Sequence, residues 1–568
     1  MPTPCPTPLA VPYLLALLAG FAIMVVEFCG SRLITYQIGS SLYVWTGVIG
    51  VVLGGLSLGN TLGGRAASVL PLRKTLGECC LVASVLTVAT FHLSWVVTGI
   101  AFGLPTLGWG VRVFLAVFGL LFLPSVALGT IGPMAAAWAV RLSPHTGRAL
   151  GTAYAFGTWG AILGTFASGF WLIAALGTAA LLFTTAALLG LASLWLLGAT
   201  AHRIGKFPAG HLAMALVALG MVATWPLPGR AEALQTAKMR WANASSQKDP
   251  ALLEAGEEPV KDPVRYFDES AYFTIRVMED RPDGRPRLSL ILDDLNHGYI
   301  VPDAPTTLEY GYEHIYAWIT QRYAQAVTGR ANPPLHCLFL GGGAYTYPRY
   351  MEETYPGSEL IVSEIDPQVV EANHRAMLLD RETGIRTVVD DARRVVAAGT
   401  PGTYDLVYGD AFNGFSVPYH LTTREFTDQV RGLLQPGGVY MVNLIDVFRP
   451  EAPEESAFVG AFVKTAQQVF GEDRVQVFVW APPGGYDPGK TYRATFVVAC
   501  LNGDLDLSGL GESPQDPNFF NAREKTYAQS LEGPALELLV QGAPVLTDDF
   551  APVDQLLEAA AATRTITN

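Results

Sequence analysis

Acidic residues follow three predicted strands in the second half of the sequence. Glu364 ends an apolar run at residues 359–364, Asp391 follows a predicted strand at 386–389, and Asp410 follows another at 404–408. A carboxylate at a strand end can bind the ribose hydroxyls of a nucleoside, or it can orient an attacking amine and accept its proton. We assign Asp410 the second task, with an aspartate that only caps the following turn as the alternative.

Three consecutive glycines, Gly341, Gly342 and Gly343, follow the apolar run at residues 335–340. Such a run is typical of a strand buried on both faces, and glycines at its end let the backbone approach a ligand closely. Glu364 lies 23 positions after Gly341, about where a nucleoside-binding βαβ unit places its ribose carboxylate. The spacing predicts a nucleoside pocket; the alternative is a tight turn without a ligand.

Alternating strands and helices are predicted to position these residues. A hairpin of strands 273–278 and 288–292, joined by Arg281-Pro-Asp-Gly284, precedes a helix at 310–327. The pattern then predicts a doubly wound, mostly parallel sheet, a Rossmann-like α/β domain of the methyltransferase type, since strands and helices alternate at a short period. The late strands 475–479 and 495–500 are expected to add an antiparallel edge.

Charge divides the 568 residues into two parts. Residues 1–206 carry a net charge of +7 and the remainder −20, although half of all residues are hydrophobic and mean hydropathy is +0.30. An acidic second part argues against a nucleic acid substrate, because phosphate binding needs clustered Lys and Arg, and it suits a cationic substrate. The six cysteines lack metal-ligand spacing, so we expect buried thiols, no disulfide framework and no metal site.

Apolar stretches long enough to cross a bilayer occupy the first part. Six are clear and a seventh is less so; they lie at residues 11–29, 43–62, 76–100, 111–140, 150–176, 178–197 and, as the weaker candidate, 209–225. The sequence therefore predicts an all-α transmembrane bundle of six or seven helices in a multi-pass protein of the cell membrane.

Basic residues cluster at 65–74, 141–148 and 203–206, and the positive-inside rule makes these segments cytoplasmic. A seventh true span would then put the second part on the far side, away from cytosolic nucleosides. We expect a cytoplasmic catalytic domain, with the segment at 209–225 lying in the interface or paired with a further span.

Several motifs together resemble one known family, the spermidine synthases (polyamine aminopropyltransferases), and in particular bacterial members fused to an N-terminal membrane domain. The likeness covers roughly residues 265–500, and the tail at 546–553 resembles the end of the fused members. It rests on Glu269-Ser-x-Tyr272, Leu292-Asp293, Gly341-Gly342-Gly343, Glu364-Ile-Asp366, Asp391-Ala392, Asp410 and Pro436-Gly437-Gly438.

The resemblance implies a role for each of these residues. Glu364 would hold the ribose hydroxyls, Asp391-Ala392 the adenine, and the glycine loop would face the sulfonium of decarboxylated S-adenosylmethionine. Asp410 would accept the proton of the attacking amine. Tyr312, Asp548 and Asp549 are our candidates for contact with the amine substrate.

The sequence departs from the family at three positions. The aspartate that follows the glycines and holds the aminopropyl amine is Ala344 here, and a second aspartate three residues after the catalytic one is Asn413. The family glutamine after the hairpin strand corresponds to His297, which we retain as a co-substrate-binding candidate.

Three functions are considered, in order of preference. The first is aminopropyl transfer from decarboxylated S-adenosylmethionine to an amine or polyamine. The second is methyl transfer from S-adenosylmethionine, because loss of the carboxylate at 344 removes a neighbour unfavourable to the methionine carboxylate. The third is a polyamine transporter or sensor, for which Glu27 is the candidate intramembrane carboxylate.

The expected organisation is a transmembrane domain at 1–225, a linker at 226–264, a small β-rich subdomain at 265–330 and a Rossmann-like catalytic domain at 331–568. Expected partners are the lipid bilayer and a small cationic amine, without nucleic acid; a homodimer is left open.

Overall fold

A computed structural model describes residues 9–38, 42–102, 104, 107–204, 263–281, 284–293, 295–412, 417–480, 486–487, 489–508, 528–557 and 559. The chain divides into two compact units, Met1–Lys238 with Asp268–Phe273, and Met239–Phe267 with Thr274–Asn568. The predicted boundary at residue 225, the candidate span at 209–225 and the linker up to residue 262 lie outside the described residues.

The first unit is helical. Its helices are α1 Ala10–Ile38, α2 Leu42–Val69, α3 Leu72–Phe102, α4 Trp109–Leu142, α5 Thr146–Ala167, α6 Ile173–Leu176 and α7 Thr178–Ile204. A π-helical turn, Ser168–Leu172, joins α5 to α6. In the described part of the chain, six helical segments are long and apolar enough to cross a membrane, which confirms the six clear predictions.

Small residues bring the helices of this unit into close contact. A Cβ added at Gly160 of α5 would lie 2.0 Å from the carbonyl oxygen of Leu17 in α1, and one at Gly59 of α2 would lie 2.3 Å from that of Val126 in α4. Both backbones therefore meet where a side chain would not fit, as in membrane helix pairs built on glycine. This supports the packing role of the glycine spacing.

The second unit begins with a four-stranded antiparallel sheet. Its strands are β1 Val264–Glu269, β2 Thr274–Asp280, β3 Arg287–Leu292 and β4 Leu295–Ile300, in that spatial order. The predicted hairpin is confirmed as β2 and β3, with Ile275 opposite Leu292. Strands β1 and β4, which the alternation did not predict, extend it on both sides.

An eight-stranded mixed sheet forms the centre of this unit. Its order is β12-β10-β11-β9-β8-β5-β6-β7, built from β5 His336–Leu340, β6 Glu359–Glu364, β7 Arg386–Val389, β8 Tyr404–Gly409, β9 Leu434–Phe448, β10 Val475–Trp480, β11 Tyr492–Leu501 and β12 Ala528–Leu531. Strands β5 to β9 are parallel, whereas β11, β10 and β12 pair antiparallel. The predicted doubly wound sheet with an antiparallel edge is confirmed, and β12 widens that edge.

Helices connect and cover these strands. They are α8 Gly311–Thr328, α9 Thr346–Thr354, α10 Pro367–Ala376, α11 Ala392–Ala398, α12 Arg424–Leu433, α13 Ala457–Phe470, α14 Pro534–Val540 and α15 Val553–Leu556. The predicted turn Pro436-Gly437-Gly438 lies inside β9, where the register with β8 shifts between Tyr404 and Leu406. The strand therefore absorbs the turn residues as an irregularity instead of starting after them.

Buried aromatic rings form the core between α8 and the sheet. Phe339 of β5 stacks on Tyr408 of β8 with centroids 4.7 Å apart. The hydroxyl of Thr320 in α8 lies 2.8 Å from the Tyr408 hydroxyl and 3.0 Å from that of Tyr347 in α9. These buried hydroxyls satisfy one another, and the resulting network fixes α8 and α9 against the strands that carry the predicted site.

Candidate functional site

The strand order brings the predicted acidic residues to one edge of the sheet. Strands β8, β5, β6 and β7 are adjacent and parallel, so Asp410, the glycine loop, Glu364 and Asp391 follow their carboxyl ends in that order. Three strand spacings of about 4.8 Å separate the ends of this row, roughly 14 Å in all. An extended ligand, such as a nucleoside with a substituent, suits that length.

The glycine loop packs tightly against its neighbours. Gly341 has φ +104°, and a Cβ there would lie 2.3 Å from the carbonyl oxygen of Asp410. A Cβ at Gly343, whose φ is +49°, would lie 2.8 Å from the carbonyl oxygen of His297 in β4. Side chains at these positions would displace the backbone on either side of the loop, so glycine is needed at both.

Glu364 is buried, and backbone donors hold its carboxylate. One oxygen accepts from the Gly342 amide at 2.9 Å, and the other accepts from the Asp366 amide at 3.0 Å. Burial raises the pKa of Glu364, while these amides act in the opposite direction. The carboxylate thus fixes the glycine loop and lies at the position predicted for a ribose contact.

Asp391 begins α11, directly before the buried Ala392. One of its oxygens accepts from the Arg393 amide at 2.8 Å, and the other lies 3.2 Å from Nε2 of His420. The residue is therefore held by the helix start at the end of the row opposite Asp410. Its contact with adenine stays a prediction.

Asp410 follows β8, and two side chains hold its carboxylate. Its Oδ2 accepts from the Tyr312 hydroxyl at 2.8 Å, and its Oδ1 accepts from Nδ2 of Asn443 in β9 at 2.9 Å. Burial raises the pKa of Asp410, and these two hydrogen bonds partly offset the effect. Because both bonds come from side chains and not from the following turn, they do not support the alternative of a turn cap.

A cavity of about 350 Å³ opens at this carboxylate. Asp410, Tyr312, His297 and Ala344 line it together with Gly341 and Gly342. Within the described part of the chain, Nε2 of His297 is buried without a hydrogen-bond partner. Burial lowers the pKa of His297 to about 4, so the ring is neutral at pH 7 and can donate or accept one hydrogen bond from a ligand.

Two residues of the site were not predicted from the sequence. Asn443 is a single polar residue in the apolar strand β9, and that interruption is a signal that could have identified it. Glu313 lines the same cavity from the first turn of α8 and is 2% exposed. An acidic residue in the first turn of a helix is common, so the sequence gave no reason to single it out.

Asp548 lies near the Asp391 end of the row. Its Oδ1 accepts from Nη1 of Arg393 at 2.8 Å and from the Thr423 hydroxyl at 2.7 Å. The hydrogen bond from Arg393 lowers the pKa of Asp548. Asp549 is exposed, and neither aspartate lines the cavity at Asp410. Their role as substrate residues stays a prediction, whereas these contacts favour a structural role for Asp548.

Comparisons with known proteins give sequence relatives of one kind. The polyamine aminopropyltransferase of Vibrio vulnificus is 34% identical over 134 residues, which cover 23% of this chain and 45% of the relative. The probable polyamine aminopropyl transferase of Bifidobacterium longum is 27% identical over 246 residues, 41% of this chain and 50% of the relative. The chain thus spans about half the length of these curated relatives. No protein-family model matches it.

Among solved structures, a probable spermidine synthase from Corynebacterium glutamicum is similar with a TM-score of 0.42 and 23% identity, over 51% of this chain and 98% of that one. A spermidine synthase solved with the transition state analogue AdoDATO has a TM-score of 0.34 and 18% identity, over 46% of this chain and 84% of the other. From the sequence relatives, the chain is related to the polyamine aminopropyltransferases, with apolar helices preceding the related part.

Proposed function

We propose that this protein is a membrane-bound transferase that moves an aminopropyl group from decarboxylated S-adenosylmethionine to a small amine or polyamine. The observation that carries the proposal is the buried Asp410 carboxylate, which Tyr312 and Asn443 hold beside the glycine loop and the cavity. A carboxylate in this position can orient a cationic amine and accept its proton. The sequence relatives, which are named for this activity, add support.

Asp410 acts on the acceptor amine. The amine nitrogen forms a bond to the carbon next to the sulfonium, the carbon–sulfur bond breaks, and its electron pair remains on sulfur as a neutral thioether. The amine proton passes to Asp410. Burial makes this carboxylate a better base than a solvated one, and the Tyr312 hydroxyl keeps it oriented. Burial also keeps Tyr312 a neutral phenol, because it raises the pKa of Tyr312 well above its usual range.

The residues of the site fit an adenosyl sulfonium. The glycine loop forms a cradle that a Cβ would fill, and Nε2 of His297 offers an unused hydrogen-bonding atom in the cavity. We assign the ribose to Glu364 and the adenine to Asp391 with Ala392. When bound, the sulfonium supplies a carbon activated for displacement. Among the described residues that line the cavity none is Lys or Arg, so nothing there opposes its positive charge.

Product analysis tests the proposal. Purified full-length protein in detergent, incubated with decarboxylated S-adenosylmethionine and putrescine or spermidine, should release methylthioadenosine in equal amount to an aminopropylated amine. S-adenosylmethionine serves as the comparison. Methyl transfer to the same amines, without an aminopropylated product, would replace the proposed activity by the methyltransferase alternative, which the uncharged side chain of Ala344 favours.

We also propose that the catalytic part lies on the cytoplasmic side of the membrane. With six spans, the basic segments at 65–74, 141–148 and 203–206 fall on one side, which the positive-inside rule makes cytoplasmic. A reporter fused after Asn568 should therefore give a cytoplasmic signal in cells. The control is the same reporter fused near residue 177, between the fifth and sixth spans, which should report from the opposite side. An extracytoplasmic signal after Asn568 would contradict the proposal.

A further inference from the structure

Glu313 is a buried acid in the cavity to which the proposed reaction assigns no role. It lies in the first turn of α8, next to Tyr312, and is 2% exposed. It lines the same cavity as Asp410 and Ala344. The cavity therefore contains a second carboxyl group although position 344, directly after the glycines, carries none.

Helix capping does not explain why this residue is an acid. An oxygen of Glu313 accepts from the Tyr310 amide at 3.2 Å, as the third residue of a helix does in a capping box. Glutamine serves that purpose equally well, and it does not bring a charge into a buried site. The carboxyl group must therefore be favoured by something other than the helix start.

The surroundings of Glu313 favour a cationic ligand. Burial and the nearby charge of Asp410 raise the pKa of Glu313 to about 8, so the two groups resist being ionised together. The neighbouring titratable groups are Glu309 and the phenols of Tyr312 and Tyr316 in α8, together with His297. None of these is a fixed positive charge, and no Lys or Arg is among the described lining residues. A cation from outside the protein would satisfy both carboxylates.

We propose that Glu313 binds the primary ammonium group of a substrate, as a second cation site beside Asp410. This inference rests on the proposed function for the identity of the substrate. The ammonium group has two sources of the same chemistry, the aminopropyl chain of decarboxylated S-adenosylmethionine and a second amino group of the acceptor. Either way, Glu313 supplies the negative charge that the cavity lacks at Ala344.

The test is Glu313→Gln, which keeps the cap and removes the charge. Affinities for decarboxylated S-adenosylmethionine and for methylthioadenosine, which lacks the ammonium group, are measured by calorimetry at pH 8.5, above the pKa of Glu313. A loss of about 10- to 100-fold for the first ligand alone assigns the ammonium group to the co-substrate. A rise of the same size in KM for the acceptor, with both affinities unchanged, assigns it to the acceptor. Unchanged affinities and an unchanged KM would overturn the proposal.

Glu309→Gln is the matched control. Glu309 lies four residues earlier and pairs with Arg287 at 3.6 Å, outside the cavity lining. It should leave affinities and KM unchanged; an effect equal to that of Glu313→Gln would show that general acidity, not a site, is responsible. Thermal unfolding of each variant checks that it folds.

A measurement on the unaltered protein covers the case in which Glu313→Gln does not fold. An acidic cavity should bind decarboxylated S-adenosylmethionine more tightly than S-adenosylmethionine, whose carboxylate it repels, and the reverse order would overturn the proposal. Because binding is measured apart from turnover, absence of product in the wild-type assay would reject the proposed function and leave this result readable.

Discussion

Replacing Asp410 by asparagine should slow turnover by about two to four orders of magnitude and leave co-substrate affinity almost unchanged. The amide keeps the shape of the side chain. Its oxygen can still accept from Nδ2 of Asn443, and its NH₂ group can donate to the Tyr312 hydroxyl if that hydroxyl rotates. It cannot accept the amine proton, however, so the loss should appear in kcat. Single-turnover kinetics together with calorimetric co-substrate binding measure the two effects separately.

The control for this variant is Asp405→Asn, at the opposite end of the same strand. Asp405 accepts from the Tyr323 hydroxyl at 2.7 Å and from the His336 amide at 2.8 Å, far from the glycine loop along β8. It should reduce thermal stability without changing kcat. If Asp410→Asn instead lowers co-substrate affinity in proportion to activity, Asp410 is a binding residue and the proton acceptor must be sought elsewhere, with Glu313 as the nearest candidate in the cavity.

Much of the fold could be predicted because it follows from local patterns. The six membrane helices are uniformly apolar, and the short apolar runs that became β5, β6 and β8 are buried on both faces. Adjacent parallel strands must expose their carboxyl ends at one edge. The alignment of Asp410, the glycine loop, Glu364 and Asp391 therefore followed from strand alternation alone. Strands β1, β4 and β12 were missed because short edge strands carry little periodicity.

The cavity could not be predicted in the same way, because residues distant in sequence build it. Glu313 and Tyr312 come from α8, His297 from β4, and Asn443 reaches Asp410 from β9. Which face α8 turns toward the sheet is decided by the packing of Tyr316 and Thr320 against Tyr408, a tertiary contact that sequence spacing does not encode. For the same reason Asp548, an acidic residue in a family-like motif, could not be distinguished in advance from an ion-pair partner of Arg393.

Glu364→Ala is expected to abolish nucleoside binding. Two ribose hydroxyls would lose a charged acceptor, at roughly 1.5–3 kcal/mol for each hydrogen bond, which corresponds to a loss of affinity of about two to four orders of magnitude. The substitution also leaves the Gly342 and Asp366 amides without their acceptor, so the glycine loop should loosen and thermal stability should fall. Calorimetry with methylthioadenosine and thermal unfolding without ligand measure the two consequences.

Glu364→Gln separates these consequences, because the amide retains one acceptor oxygen and the volume of the side chain. It should recover much of the stability while nucleoside affinity stays reduced, since the charge that strengthens the ribose hydrogen bonds is gone. Glu359→Ala, at the exposed start of the same strand, is the control and should leave affinity unchanged. Unaltered nucleoside affinity in Glu364→Ala would place the nucleoside elsewhere on the molecule. The buried carboxylate would then serve only to hold Gly342 and Asp366.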